Sequence, residues 1–214
     1  ARDAVARYDE AVNRLHNPKI IRRTFETKEA VLSSRIEGTQ ATFEEVLEFD
    51  ADEVESEENE KLKDYREIAN YRQAIDYGRE LLKEKPLDEN MFKELHKELL
   101  NSVRGKNKSP GEFRTHQVHI GPPGATIAEA SYVPPVHTEI PALISNLAHY
   151  MHNDEQPDRL IQAAVMHYQF EAIHPFADGN GRVGRLLIPL YLFEKGLTKY
   201  PNLYVSEFLE RHRR

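Results

Sequence analysis

The sequence predicts a mostly helical domain carrying one β-hairpin, and three observations predict it. Apolar residues recur at helical spacing along most of the chain. Short β-type runs occur together in one Gly- and Pro-bearing stretch, residues 104–136. The 214 residues, 39% hydrophobic and 30% charged, form an ordinary globular mixture. A chain of that length can bury a core without a disulfide or a metal staple.

Taken in order, residues 1–16 predict a first helix, closed by Asn17-Pro18. Residues 19–37 predict a second, with Ile20, Ile21, Phe25, Val31, Leu32 and Ile36 at roughly helical spacing and Gly38 as its stop. Thr42-Phe43-Glu44-Glu45 is a capping box that opens a short helix to about Phe49. Residues 48–60 hold Glu48, Asp50, Asp52, Glu53, Glu55, Glu57, Glu58 and Glu60, and this charge block reads as a solvated segment. It lacks the central Gly and ligand spacing of a calcium loop. A long helix spans 60–84, ending before Pro86, and Asp88 caps the next, to about Val103. In 104–136, Gln117-Val118-His119-Ile120 and Ser131-Tyr132-Val133 read as the arms of a hairpin with a long tip. Helices return at 138–153, 158–173, 182–196 and about 204–213. The chain divides into an N-terminal helical region, 1–103, and a core, 104–214, joined in one compact domain.

Composition narrows the function. The chain has no Cys, which removes thiol nucleophiles, zinc-thiolate sites and iron–sulfur clusters and fits a reducing, cytoplasmic setting. A net charge of −7 argues against broad electrostatic binding to nucleic acid. No apolar run approaches the roughly 20 residues of a membrane span, and the acid-bearing first helix is no signal peptide. The start without Met and the stop at His212-Arg213-Arg214 predict part of a longer protein.

The informative stretch is His174-Pro175-Phe176-Ala177-Asp178-Gly179-Asn180-Gly181-Arg182-Val183-Gly184-Arg185. An apolar helix ends at His174-Pro175, a Gly-rich turn follows, and a second apolar helix starts. A loop that feeds a helix N-terminus presents free N–H groups and a positive dipole end to an anion. Gly179 and Gly181 let the backbone approach closely, and Asn180 tolerates a left-handed turn. Arg182 and Arg185, three apart, share a helix face and suit phosphate oxygens. Asp178 is placed to hold Mg²⁺ (or Mn²⁺) between phosphates. His174 stands at the rim, suited to proton transfer near neutral pH. A base, a metal carboxylate, an anion nest and two arginines make a polyphosphate transfer site.

This stretch resembles the signature of the Fic (filamentation induced by cAMP) family: His, any residue, Phe, any residue, an acid, then Gly-Asn-Gly-Arg and a second Arg three residues on. Gly111-Glu112-Phe113-Arg114 and the hairpin after it, 115–135, resemble the family's flap. Ser33-Ser34-Arg35-Ile36-Glu37-Gly38 is similar to its inhibitory motif, which in class II members lies N-terminal to the core. The resemblance implies a Fic-type helical fold and transfer of AMP from ATP to a Ser, Thr or Tyr hydroxyl of a target protein, releasing pyrophosphate. It implies that His174 takes the proton of the attacking hydroxyl and Asp178 binds the metal. Gly179, Asn180, Gly181 and Gly184 would surround the phosphates, Arg182 would contact the α- and β-phosphates and Arg185 the γ-phosphate. Phe176 would anchor the loop in the core. Val118, His119, Ile120 and Gly121 would dock the target. Glu37 would pair bidentately with Arg185 and hold the enzyme inhibited, with Ser33 supporting the helix end and Gly38 closing it. Relatives of the Doc type, which phosphorylate their targets, depart from Gly-Asn-Gly-Arg; this chain does not.

Self-modification and a homodimer are further expectations. DNA binding would need a C-terminal winged-helix domain, which many class II relatives carry and which is not visible in these residues. The Tyr pair that family members often place near the adenine would fall beyond residue 214. The alternative reading is an inhibited regulatory module, or one that mainly removes AMP. His149 with His152, and His116 with His119, lack a third ligand at metal spacing. The latter pair reads as lining the target groove, and Met151 and Met166 as core.

Overall fold

The computed structural model describes residues 1–51, 60–101, 108–122, 124–153, 155 and 158–212. Nine α-helices are present among them: α1 (Arg2–Asn13), α2 (Pro18–Ile36), α3 (Phe43–Ala51), α4 (Glu60–Leu81), α5 (Glu89–Leu99), α6 (Ile140–Met151), α7 (Arg159–Ile173), α8 (Asn180–Glu194) and α9 (Ser206–Arg211). Each lies within a residue or a few of its predicted span. α5 ends at Leu99, with Leu100 as its cap, short of the expected end near Val103; residues 102–103, and 52–59 of the acidic block, fall outside the described residues.

The local signals act as the sequence implies. Thr42 N–H donates to Glu45 Oε2 at 2.9 Å and Glu45 N–H to Thr42 Oγ1 at 3.2 Å, a complete capping box on α3. Asp88 accepts from Met91 N–H at 2.9 Å and opens α5. α2 ends on Gly38 at φ 106°, where Gly38 N–H reaches Arg35 O and Thr39 N–H reaches Ser34 O. This pair of bonds closes a helix on a left-handed residue, which favours Gly.

The core forms around α8, whose residues from Arg182 to Leu192 are all buried. α7, α4, α5 and α2 pack on it, supplying Phe170, Ile75, Leu95 and Val31 among others to one contiguous cluster. A helix buried on every side is hydrophobic all round rather than amphipathic, which is why Leu186-Leu187-Ile188 runs unbroken.

Two expectations change. The hairpin reduces to one antiparallel bridge, Ile120 with Tyr132. Ile120 N–H donates to Tyr132 O at 2.8 Å, and Tyr132 N–H returns to Ile120 O at 3.1 Å. Pro122, Pro134 and Pro135 flank it without N–H donors, so the ladder cannot extend. The acidic block is not wholly solvated: Asp50 pairs with the buried Arg72, whose Nη2 donates to Asp50 Oδ1 at 2.8 Å. That guanidinium holds the Asp50 carboxyl below its ordinary pKa.

Candidate active site

α7 delivers His174 at its end. His174 is the left-handed cap of that helix, at φ 50° and ψ 60°, a conformation a non-Gly residue adopts only under constraint. Arg114 supplies the constraint. It is 4% exposed; its Nε donates to His174 O at 2.9 Å, its Nη1 to His116 O at 3.0 Å and its Nη2 to Pro135 O at 2.6 Å. One guanidinium thus fixes the catalytic-loop entry and both ends of the flap. Tyr132 adds a tie, its hydroxyl donating to Ala172 O at 2.7 Å. The half-buried His174 imidazole has its pKa lowered mainly by burial, with the Glu171 backbone pulling the other way. It is therefore neutral, and able to accept a proton, at pH 7.

The turn after His174 is built on Phe176 and Asn180. Phe176 is fully buried and stacks on His96 at 3.8 Å between centroids. The Asn180 side chain accepts from Phe176 N–H at 2.8 Å and donates to Phe176 O at 2.9 Å. Its amide braces the loop, so what it can offer an anion is its backbone N–H. The left-handed residue is Gly179, at φ 76°, while Asn180 already begins the helix. This corrects the assignment of that turn to Asn180. The N–H groups of Asn180, Gly181 and Arg182 open α8, without upstream helical carbonyls to take them. A buried helix start of this kind suits phosphate.

Asp178 stands over this nest. One of its oxygens accepts from Gly179 N–H at 2.6 Å and lies 3.8 Å from Arg182 Nη2, and the side chain is 42% exposed. A single, partly exposed carboxylate beside an anion nest fits Mg²⁺, which keeps several waters and takes one or two carboxylates plus substrate phosphates. Among the described residues no cluster of three or more His, Asp or Glu could hold an ion on its own.

Both arginines of the motif already face carboxylates from the N-terminal half. Arg185 Nη2 donates to Glu37 Oε1 at 2.6 Å and to Ser33 O at 3.0 Å, and its Nε donates to Ser33 Oγ at 2.8 Å. The Glu37 contact is thus single rather than bidentate, and Ser33 is a direct partner of Arg185, not merely a support of the helix end. Arg182 Nη1 lies 3.4 Å from Glu67 Oε2 of α4, and Thr39 donates to that same oxygen at 3.0 Å. The Glu37 carboxylate occupies the space over Gly181: a Cβ there would meet Glu37 Oε1 at 2.2 Å. Over Gly184 the occupant is Glu171, whose oxygen would meet a Cβ at 2.3 Å. Burial raises the Glu171 pKa to about 7, opposed by Arg185 and reinforced by Glu37.

At the flap, Val118 is half-buried and His119, Ile120 and Gly121 are exposed. His119 Nε2 lies 2.7 Å from Ala125 O.

Several residues at the site escaped sequence reasoning. His96 is fully buried on α5. Its Nδ1 accepts from Gly111 N–H at 2.9 Å, so its Nε2 carries the proton and donates to Asp178 O at 3.0 Å. Burial lowers its pKa to about 4. The only signal was a His on the apolar face of an amphipathic helix. Glu67 and Glu171 gave none, because a lone carboxylate on a helix reads as solvated.

The start of α8 thus brings together free N–H groups, an imidazole whose pKa is lowered and two arginines, on a helical core. Residues 1–80 match the model of the Fic/DOC family N-terminal region and residues 86–192 that of the Fic/DOC family. The chain belongs to the Fic/DOC family. It is 35% identical over 97 residues to a probable protein adenylyltransferase of Aquifex aeolicus, covering 45% of this chain and 28% of that one. It is 34% identical over 117 residues to the protein adenylyltransferase Fic of Drosophila mojavensis, covering 53% and 20%. The chain thus spans well under a third of the length of these relatives. In fold it is similar to a Fic family protein from Desulfovibrio desulfuricans (TM-score 0.74, 23% identity, 98% of this chain and 61% of that one). It is equally similar to a Fic domain-containing signaling protein from Bacteroides thetaiotaomicron (TM-score 0.74, 24% identity, 99% and 78%). Among the described residues no helix is long and apolar enough to cross a membrane.

Proposed function

We propose that this chain is a protein adenylyltransferase that moves AMP from ATP to a side-chain hydroxyl of a target protein, restrained by Glu37. The observation that carries the transfer reading is a neutral His174 held beside the nest at the start of α8. The triphosphate would lie along the N–H groups of 179–182, its charge met by the helix dipole and the two arginines. The target's hydroxyl oxygen forms a bond to the α-phosphorus while His174 takes its proton. The α-phosphorus–oxygen bond to the β-phosphate breaks, and pyrophosphate leaves with that electron pair. Mg²⁺, held by Asp178 and the phosphates, would neutralise charge on the leaving group. The exposed Ile120 edge would hold an extended target segment by main-chain hydrogen bonds.

The restraint reading rests on the Glu37–Arg185 contact. Arg185 cannot hold a γ-phosphate while Glu37 and Ser33 occupy its Nη2 and Nε. A carboxylate over Gly181 also repels the triphosphate from the nest. The same contact favours, as a second reading, an inhibited module at rest.

ATP labelled at the α- or γ-phosphate tests the chemistry, with Mg²⁺ and His174→Ala as control. Label on protein from the α-position only, lost in His174→Ala, is the expected result. Label from the γ-position overturns AMP transfer in favour of phosphorylation.

A further inference from the structure

Glu29 and Ser33 on α2 and Glu37 at its C-terminal cap lie four residues apart, and so on one face of the helix. Two of them reach Arg185. The third reaches the far end of the chain. Glu29 is 2% exposed; its Oε1 accepts from Ser206 Oγ at 2.6 Å and its Oε2 from Ser206 N–H at 3.2 Å. The fully buried Tyr71 of α4 donates to Glu29 Oε1 at 3.4 Å. Ser206 is the first residue of α9. One residue along on each helix, Lys28 Nζ sits 2.8 Å from Glu207 Oε2 at the surface. Nearer the start of α2, Arg22 lies over the Tyr200 ring at 3.6 Å.

A carboxylate in this position is costly. Burial raises its pKa, and the Ser206 bonds and the field of Arg185 offset that. Apolar replacement of buried charged contacts is often neutral or stabilising, and the attested role of such contacts is to fix register. Glu29, Lys28 and Glu207 also border an opening in the seam. A cavity of about 340 Å³ opens between α2 and the segment leading into α9, walled by Tyr8, Phe25, Leu32 and Tyr204. Ala30 and Val31 of α2 pack into the core, and Leu203, Tyr204 and Val205 pack against it; across the opening, the polar contacts add directional ties between α2 and α9.

We propose that Glu29 and Ser206 are positioning residues that fix the register of α2 against α9 and so hold Ser33 and Glu37 on Arg185, making the start of α9 a control point for the restraint. The inference rests on the Glu37 reading above. It places control of the phosphate site on α9, an element that contributes nothing to the nest itself.

Self-modification by α-labelled ATP tests it in two backgrounds. Ser206→Ala and Glu29→Gln should each raise the initial rate about 2- to 30-fold in the parent, the range of coupling changes carried through packed elements. The same substitutions should change nothing in a Glu37→Gly background, where no restraint is left to release. Ser206→Thr keeps the hydroxyl and should restore the parent rate. Glu207→Lys sets a cation beside both Lys28 and Arg211 at the exposed rim; it tests the same seam without entering the core and should release about twofold by the same coupling. An unchanged rate in all three releasing variants, or an equal rise in both backgrounds, overturns the positioning role while leaving the Glu37 reading intact. If Glu37→Gly itself is no faster than the parent, the Glu37 reading fails and the inference falls with it.

Discussion

In the proposed transfer His174 is the general base, and its surroundings make two measurable statements. Removing a general base costs about 10²–10⁴ in rate, whereas the phosphate contacts come from other residues. His174→Ala should therefore lose transfer while binding Mg·ATP with nearly unchanged affinity; transfer at the parent rate would refute the assignment. Because burial lowers the His174 pKa, the base form persists to lower pH than an ordinary imidazole's. The acid limb of the transfer rate, measured in Glu37→Gly to lift the restraint, should fall below pH 6.5. Glu171, raised to about 7, could mask that limb. Glu171→Gln removes its titration, and the limb that remains belongs to His174. At Ser33 the direct bonds to Arg185 change what a substitution should do. Ser33→Ala strips the Nε partner but leaves the backbone carbonyl and Glu37, so release should be partial, a few-fold against the full effect of Glu37→Gly. A Ser33→Ala rate equal to the parent's would mean that the side-chain bond contributes nothing to the restraint.

Elements matter here through what joins them. Arg114 ties the end of α7 to both ends of the flap, through a planar fork that aims separate nitrogens at His174, His116 and Pro135 carbonyls. Lys carries one nitrogen on a flexible stem and cannot span that geometry. Arg114→Lys should cost at least about tenfold in transfer, because small misplacements of reacting groups cost large rate factors. Melting temperature and Mg·ATP binding measured alongside separate lost positioning from lost folding. The flap makes a different claim. Among the described residues, no hydrogen bond takes the main-chain groups of His119 or Gly121, which flank the bridge and can pair with an added strand. Ile120→Asp should weaken modification of a protein target far more than it weakens ATP binding. Equal losses would point to a flap that clamps nucleotide instead.

For the whole molecule, the sequence made the helices and the phosphate loop legible, because helical periodicity, the Thr42–Glu45 box and the glycines around Asn180 are all local. The Arg182–Glu67 pair, the Arg114 clamp and the Glu29–Ser206 contact were not legible. Each joins residues tens to well over a hundred positions apart, and packing alone brings them together. His96 is another such joint, and it predicts a pH response of the fold. Its folded pKa of about 4 lies below the ordinary 6.5. Between those values the unfolded chain binds a proton that the folded chain refuses, so this contribution to stability is lost as pH falls from about 6.5 to about 4. Glu171 acts with the opposite sign, but it is common to parent and variant. The melting temperature of His96→Gln should therefore fall less steeply than the parent's over that window; parallel slopes would refute the buried-imidazole account. The central claim is that the N-terminal half restrains a competent phosphate site through Glu37. The most direct measurement is the initial rate of AMP transfer from α-labelled Mg·ATP in Glu37→Gly against the parent. If the productive pose is a small fraction of bound states, freeing Arg185 raises the rate by about the inverse of that fraction, roughly tenfold or more. A Glu37→Gly protein that folds, binds Mg·ATP and transfers AMP no faster than the parent would contradict the claim.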